Sequence, residues 1–479
     1  MSEAPAALVR IRGGVSVSVP DDLAEMATYI LREQEDWFEE ELQFVRTVLA
    51  PGDLVVDVGA NYGVYALSAA RLVGPAGRVL AFEPGAGPAA HLRRSKQANG
   101  FDGLEIVAAA LSDRSGQGHL SGGRDAALAE VVAEGGAEAQ AITLLTLDEA
   151  DARWDLGQAA FLKLDAEGHE PRIVAGGEKF LERASPLVLL EIRVGEKIDL
   201  SLIERLGAWG FQAFRLLPGL GQLLALEPGE ALDGYALNLF LAKPDRQVIL
   251  ARRGLLGSAP RGLSVESNDW RAALAGFPLV RALALGWQSQ GPGAAAYETA
   301  LGAWAAAHAP GTSPSDRVSL LAQARTAGET ALNAQPTLAR AVTLSRLCAE
   351  IGQRTVTLKV LGAALEATIS GAPFPDEPFL PPSPPLEARA PGAAPLALLL
   401  AMILERFEKL RAHSSLFVGA EALPRLEKLH DLGFGPPEME RRLQLVRMRA
   451  GQQGGPQASP LLADEGPGNL NPGFWNPVR

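Results

Sequence analysis

The chain predicts an α/β protein, a seven-stranded, mostly parallel sheet with helices on both faces, followed by an α-helical C-terminal region. From Leu54 to Leu241 short, nearly continuous apolar runs alternate with segments of helical spacing, the pattern of strands buried on both faces between crossover helices. Beyond about Asp245 the strand signal stops and Ala/Leu-rich helical spacing replaces it. The 479 residues amount to roughly three domains at about 150 residues each. With 47% hydrophobic and 21% charged residues, the chain can bury sizeable cores.

The elements follow in order. VRIRGGVSVSVP reads as a hairpin and QEDWFEEELQFVRTVL as one amphipathic helix, so that residues 1–50 precede the α/β domain at 51–245. Strands are expected at Leu54 to Val58, Arg78 to Glu83, Leu104 to Leu111, Ala160 to Asp165 and Pro186 to Ile192, then at FQAFRLL and YALNLFLA. Helices are expected at Val64 to Val73, Gly87 to Ala98, His169 to Glu182 and Asp199 to Trp209. A helical region at 262–371 carries YETALGAWAAA and LARAVTLSRLCAEIG. The proline-rich run 372–395 reads as an extended spacer, 396–450 as a second helical region and 451–479 as a disordered tail.

Charge is unevenly spread. Residues 1–244 hold 21 basic and 36 acidic side chains, net −15, whereas 245–479 hold 23 and 20, net +3, which sum to −12. So negative a front half repels phosphate backbones, and nucleic acid is not expected as a partner there. Cys348 is the single cysteine, and neither a CxxC nor a Cys/His zinc pattern occurs. The N-terminus lacks a basic start followed by an apolar stretch, and the longest apolar run, Pro395 to Leu404, is far short of the roughly 20 residues a bilayer requires. These features point to the cytoplasm and to a chain without a membrane span.

The chemistry concentrates at strand ends. The first strand ends in DVGANYG, Asp57 to Gly63, where small residues let a ligand approach the backbone at the carboxyl edge of the sheet. Asn61 stands where the dinucleotide fingerprint has its second glycine, which weakens an NAD reading. Glu83 closes the second strand in AFEPG and can accept from both hydroxyls of a ribose, leaving a nucleoside without a pyrophosphate as the ligand. The loop alone reads equally as a tight turn, and its pairing with Glu83 strengthens the ligand reading. FLKLDAEGHE brings Asp165, Glu167, His169 and Glu170 to the same edge, lining a polar cleft or binding a cation. For Glu170 a favourable charge at a helix N-terminus is the leading reading. For His169 a first-turn helix position stands level with a functional one.

Taken together, VVDVGANYGVYALSAA, VLAFEPG, Asn99, AALSD, LTLDE, FLKLDAEGHEPRIVAGG and LVLLEI resemble, in order, the FkbM-type S-adenosylmethionine-dependent methyltransferases. The resemblance runs from Leu42 to about Lys243. It implies a class I, Rossmann-like methyltransferase fold, S-adenosylmethionine as donor, and a hydroxyl on a sugar, glycan or related natural product as acceptor. It makes Asp57, Gly59, Asn61, Gly63, Glu83 and Asp113 the cofactor-binding residues. Asp57 would steady the loop and the methionine end, Gly59 and Gly63 would give access, and Glu83 would hold the ribose. Asp113 would serve the adenine edge, with a plain turn residue as its competing reading. One departure is AFEPGAGPAAHL, where Gly and Ala fill a segment the family usually builds from bulkier residues.

Methyl transfer to an alcohol calls for positioning and for a base near the acceptor oxygen, and Asp165 and His169 are the candidates. Asp165, Glu167 and His169 could also ligate a divalent cation, although metal independence ranks first because one motif supplies all three groups. In the C-terminal half, LARAVTLSRLCAEIGQRTVTLKVLGAALEA resembles a tetratricopeptide hairpin, with Gly352 in the turn and Ser345 and Thr357 off the pattern, so a generic helical hairpin is the safer reading. Such a region presents a surface to a protein partner. Arg441, Arg442, Arg447 and Arg449 read as a solvated basic face ahead of an anion site. The alternative to an enzyme is a non-catalytic methyltransferase-like scaffold whose helical half recruits a partner. Truncating the chain near Asp245 to Arg252 is expected to leave donor binding intact and to weaken turnover on the natural acceptor.

Overall fold

Runs such as LVVDV, RVLAF, LVLLE and NLFLA leave no polar side for water, so these strands are covered on both faces. The computed structural model describes residues 6–121, 131–132, 139–194, 197–262 and 270–451. The tail 451–479 lies outside the described residues except for Gly451. The chain divides into two units. Among the described residues, the first comprises 6–215 and 236–252, the second 216–235 and 253–451.

The α/β part runs β1 (Ala6–Ile11), β2 (Val15–Pro20), α1 (Met26–Gln34), α2 (Glu40–Val48), β3 (Leu54–Val58), α3 (Val64–Val73), β4 (Arg78–Phe82), α4 (Ala86–Asn99) and β5 (Leu104–Val107). It continues through β6 (Ala110–Leu111), β7 (Gly116–Leu120), β8 (Val131–Val132), β9 (Gln140–Leu145), α5 (Leu147–Trp154), β10 (Ala159–Leu164), α6 (Glu170–Ala175), α7 (Glu178–Arg183) and β11 (Leu187–Glu191). The last elements are β12 (Arg193–Val194), β13 (Lys197–Ile198), α8 (Ser201–Gly207), β14 (Gln212–Leu217), β15 (Gln222–Ala225), β16 (Asn238–Ala242) and α9 (Pro244–Arg252).

The main sheet has eight strands rather than the expected seven, in the order β15-β14-β16-β11-β10-β3-β4-β5. It is mixed: β5, β4, β3, β10 and β11 are parallel, and β16 runs antiparallel to both β11 and β14. The extra strand, β15, follows β14 through a tight turn that no alternation in the sequence announces.

Two expected elements are divided and a third is shortened. The helix expected from Gln34 to Leu49 begins only at Glu40, as α2, because Glu35 turns left-handed at φ 54 and ends an unexpected helix, α1, before it. The helix expected at His169 to Glu182 becomes α6 and α7 at Gly176 and Gly177, where a Cβ on Gly176 would lie 2.0 Å from the Ser112 carbonyl oxygen. The strand expected at Leu104 to Leu111 passes from the main sheet into a second, four-stranded sheet of order β6-β9-β7-β8. The β1–β2 hairpin forms as expected and docks on α4. The Asn99 side chain accepts from Ser16 N–H at 2.9 Å and donates to the Ser16 carbonyl at 2.7 Å, while Ser18 N–H donates to Ser95 Oγ at 2.7 Å.

Apart from β15, the second unit is helical: α10 (Trp270–Ala275), α11 (Arg281–Gly286), α12 (Ala294–His308), α13 (Pro314–Ala334), α14 (Leu338–Glu350), α15 (Arg354–Ile369), α16 (Pro395–Arg411), α17 (Leu423–Asp431) and α18 (Pro437–Arg449). Ser313 and Thr337 cap α13 and α14 through their side-chain oxygens. Helix pairs α12–α13 and α14–α15 begin at Ala294 and Leu338, a spacing of 338 − 294 = 44 residues against the roughly 34 of a tetratricopeptide, so a generic helical hairpin describes them.

Two readings of this half change. The proline-rich run is no free spacer, because Phe379, Leu380 and Leu386 are buried in the helical core beside Tyr297, Val342 and Met402. The arginines of α18 are not a solvated face either: Arg442 is 2% exposed and donates to the Glu408 carbonyl at 2.8 Å, and Arg447 pairs with Glu427 at 3.1 Å. Among the described residues no helix is long and apolar enough to cross a membrane.

Candidate active site

The loop after β3 is built by two glycines that nothing else can replace. Gly59 has φ 76, and a Cβ there would fall 1.8 Å from the Asp165 carbonyl oxygen; Gly63, at φ 85, precedes α3 with Leu92 Cδ1 2.1 Å from its would-be Cβ. Gly59 and Ala60 N–H groups both donate to the Phe82 carbonyl, at 3.1 and 3.0 Å, tying the loop to the end of β4.

Glu83 lies one residue beyond β4 and joins two loops. Its Oε2 accepts from Asn61 N–H at 2.7 Å and its Oε1 from Gly85 N–H at 2.6 Å. Burial pushes this carboxyl up to about 7, against the opposing pull of the two amides. Each oxygen retains a further lone pair for a ligand hydroxyl. Asn61 itself sits at φ 48 with its side-chain oxygen buried and unpaired.

Asp57 is 1% exposed, and neither carboxylate oxygen has a hydrogen-bond partner. Burial raises its pKa, and Lys163, whose Nζ lies 3.9 Å from Oδ1, opposes that rise. Lys163 also pairs with Asp165 Oδ2 at 2.6 Å and stands over the Tyr65 ring at 5.1 Å. Although burial pulls the Lys163 ammonium down, Asp165, Asp57 and Glu39 more than compensate, so it stays charged. The Tyr65 hydroxyl donates to Glu39, which brings the segment between α1 and α2 into this network. Lys163 was not anticipated. Its signal was a lysine inside the otherwise apolar strand AAFLKL, a position that must find partners when buried.

His169 goes elsewhere. Its Nε2 lies 3.0 Å from Ser112 Oγ, and Ser112 in turn donates to Asp113 Oδ1 at 3.1 Å, so His169 and Asp113 share one cluster to which Arg172 adds a 3.8 Å contact with Asp113. Burial, then Arg172, lowers the imidazole's pKa and keeps it neutral. Glu170 Oε1 accepts from Ala166 N–H at 2.6 Å, closing its own loop in the structural role that led the sequence reading, and burial raises its carboxyl to about 7. Asp165 on Lys163 and His169 on Ser112 therefore point their polar atoms to different partners. Among the described residues no three His, Cys, Asp or Glu converge as a metal-holding group.

A glycine loop at a parallel strand's carboxyl end, two buried acids and an acid–lysine network at the next strand make a ligand site of the open-sheet kind. Residues 57–213 match the family model described as the methyltransferase FkbM domain. This segment is similar to FkbM methyltransferase domains. No curated protein sequence matches the chain. Similar solved structures include an FkbM methyltransferase from Methylobacillus flagellatus KT, with 15% identity, a TM-score of 0.29, and coverage of 40% of this chain and 44% of that one. The chain thus spans less than half the length of that protein. A SAM-dependent O-methyltransferase from Thermotoga maritima shares 15% identity over 50% of this chain and 78% of that one, with a TM-score of 0.26. A SAM-dependent methyltransferase from Aquifex aeolicus shares 14% over 46% and 94%, again with a TM-score of 0.26. The matched range contains Asp57, Gly59, Asn61, Gly63, Glu83, Asp113, Asp165 and His169, whereas the helical unit lies outside it.

Proposed function

We propose that the chain is an S-adenosylmethionine-dependent O-methyltransferase acting on a hydroxyl of a sugar, glycan or related natural product. The observation that carries the donor assignment is the pair of buried acids around the glycine loop. Asp57 leaves both oxygens unsatisfied, and Glu83, fixed by two amides, keeps lone pairs free at the end of β4. Buried acceptors without donors fit a ligand that brings donors. The α-ammonium and ribose hydroxyls of S-adenosylmethionine do so, Asp57 taking the methionine end and Glu83 the ribose. The Ser112–Asp113 segment, braced by His169, then serves the adenine edge, which makes His169 a positioning residue.

The donor, when bound, supplies a methyl carbon on a sulfonium. This chain's residues provide position and a proton acceptor. Asp165 is the better base because it stands one residue beyond β10, its backbone carbonyl against the glycine loop at Gly59 and its carboxylate held by Lys163, while His169 is held on Ser112. Asp165 would take the proton of the acceptor hydroxyl, and Lys163 would keep that carboxylate oriented. The helical unit is proposed to bind a protein partner or carrier bearing the acceptor.

Incubation of full-length protein with methyl-labelled S-adenosylmethionine and candidate acceptors tests this reading. Label should enter an ether on the acceptor, and Asp165→Asn should lower kcat by about 10²–10⁴-fold while leaving S-adenosylhomocysteine affinity within about threefold. Unchanged turnover in Asp165→Asn would remove it as the base.

A further inference from the structure

The sheet register sets a row of side chains that the donor site does not use. β3 pairs Asp57 with Lys163, β10 pairs Lys163 with Leu189, and β11 pairs Glu191 with Asn238 of β16. Strand side chains alternate with period 2, so residues two further along, Gly59, Asp165, Glu191 and Asn238, form the next row on the same face. Asp57 and Lys163 lie directly below them. The row therefore crosses the carboxyl edge from the glycine loop, through Asp165, to two polar residues on neighbouring strands.

Glu191 shares a side-chain hydrogen bond with Asp165, yet one polar atom of each of the two residues is left over. Glu191 Oε2 and Asn238 Nδ2 are buried and have no hydrogen-bond partner, and Asn238 as a whole is only 7% exposed. They are direct register partners, whose Cβ atoms lie about 4.5–5.5 Å apart in an antiparallel pair, yet neither satisfies the other. Folded proteins rarely keep such atoms without a use.

We propose that Glu191 and Asn238 form the acceptor subsite, binding adjacent hydroxyls of a neutral sugar ring next to Asp165. The proposal rests on the methyltransferase reading above and names the acceptor class for that site. A hydroxyl both donates and accepts, and this pair offers both functions: the Asn238 amide donates, and the Glu191 carboxyl accepts. Burial, then the charges of Asp165, Glu167 and Glu170, and then the hydrogen bond shared with Asp165 raise Glu191 well above the usual carboxylate range, so that it holds a proton and its unpaired Oε2 is left for a ligand hydroxyl. The same crowd of carboxylates repels an anion, so a uronic acid or phosphorylated sugar is excluded where a neutral ring is held. Register gives the geometry its economy, since a ring bridging β11 and β16 has its next hydroxyl over Asp165.

The test is saturation-transfer NMR on the full chain with S-adenosylhomocysteine present, using methyl α-glycosides of glucose, mannose, galactose and rhamnose, and glucuronate as the anionic probe. At least one neutral glycoside should receive saturation and glucuronate should not. Asn238→Leu and Glu191→Leu should each weaken glycoside binding at least tenfold, with S-adenosylhomocysteine affinity by calorimetry changed less than threefold. Glu191→Gln, which keeps an acceptor and a donor, should restore binding. Should Asn238→Leu fail to fold, Asn238→Asp removes the donor at constant shape and should show the same loss. Absence of binding by every glycoside, equal binding of glucuronate, or variants indistinguishable from wild type would overturn the proposal. Failure of the wild type to bind S-adenosylhomocysteine would instead condemn the methyltransferase reading itself.

Discussion

Glu83 is held in place by Asn61 and Gly85 amides while burial works against its charge. Two consequences follow for this one residue. Removing it in Glu83→Ala deletes the acceptor for two ligand hydroxyls, and at about 1.5–3 kcal/mol per charged hydrogen bond the Kd for S-adenosylhomocysteine should rise at least tenfold by calorimetry. Its pKa of about 7 lies above the value of 4.5 for an ordinary glutamate, so the native state binds more protons than the unfolded chain between those pH values. The stability it contributes is fully present below about 4.5 and is lost as pH rises through about 7. In Glu83→Gln, thermal melts should therefore fall less steeply across that window than in the wild type. Melting curves with parallel slopes would contradict the protonation argument. Gly59 has a different constraint. Gly59→Ala places a Cβ against the Asp165 carbonyl at a left-handed φ, and should lower the melting temperature through about 1–3 kcal/mol of backbone strain, with donor affinity lost alongside.

Strands set which charges meet. Lys163, inside β10, faces Asp57 of β3 and Asp165 just beyond its own strand. Lys163→Met leaves two carboxylates without their cation and should destabilise the α/β unit by about 3–5 kcal/mol, read as a lower denaturant midpoint. A midpoint equal to wild type would show that the network does not depend on the ammonium. The strands that build this edge were legible because a strand buried on both faces shows as an unbroken apolar run, and DVGANYG and AFEPG stand directly after two of them. The ends of longer elements were less so. The break between α6 and α7 depends on how closely Gly176 approaches Ser112, and the pairing of Ser112 with His169 joins residues 57 positions apart; neither is a property of local sequence. β15 escaped for a similar reason, since QLLA is too short to show a period. The same limit hid Glu191 and Asn238, whose meeting is fixed by the antiparallel register of β11 and β16 rather than by spacing along the chain. Lys163 was visible and passed over, a charge within an apolar strand being the signal that a buried network exists.

The boundary between the units is not a single point in the chain. Residues 216–235 belong with the helices: Asp233 accepts from Thr355 N–H at 2.9 Å, and the Tyr235 hydroxyl donates to the Arg411 carbonyl at 2.8 Å. A fragment ending near Arg252 would carry this excursion without its partners and expose Leu217 and Leu224, which are buried in the intact chain. Such a fragment should elute from size exclusion as aggregate, and a monodisperse fragment with wild-type melting would show the excursion to be self-sufficient. Tests of function therefore belong on the full chain. The most direct is calorimetric titration of full-length protein with S-adenosylhomocysteine. One site per chain is predicted, with binding weakened at least tenfold in Glu83→Ala; folded wild-type protein giving no binding heat at any temperature tried would contradict the account.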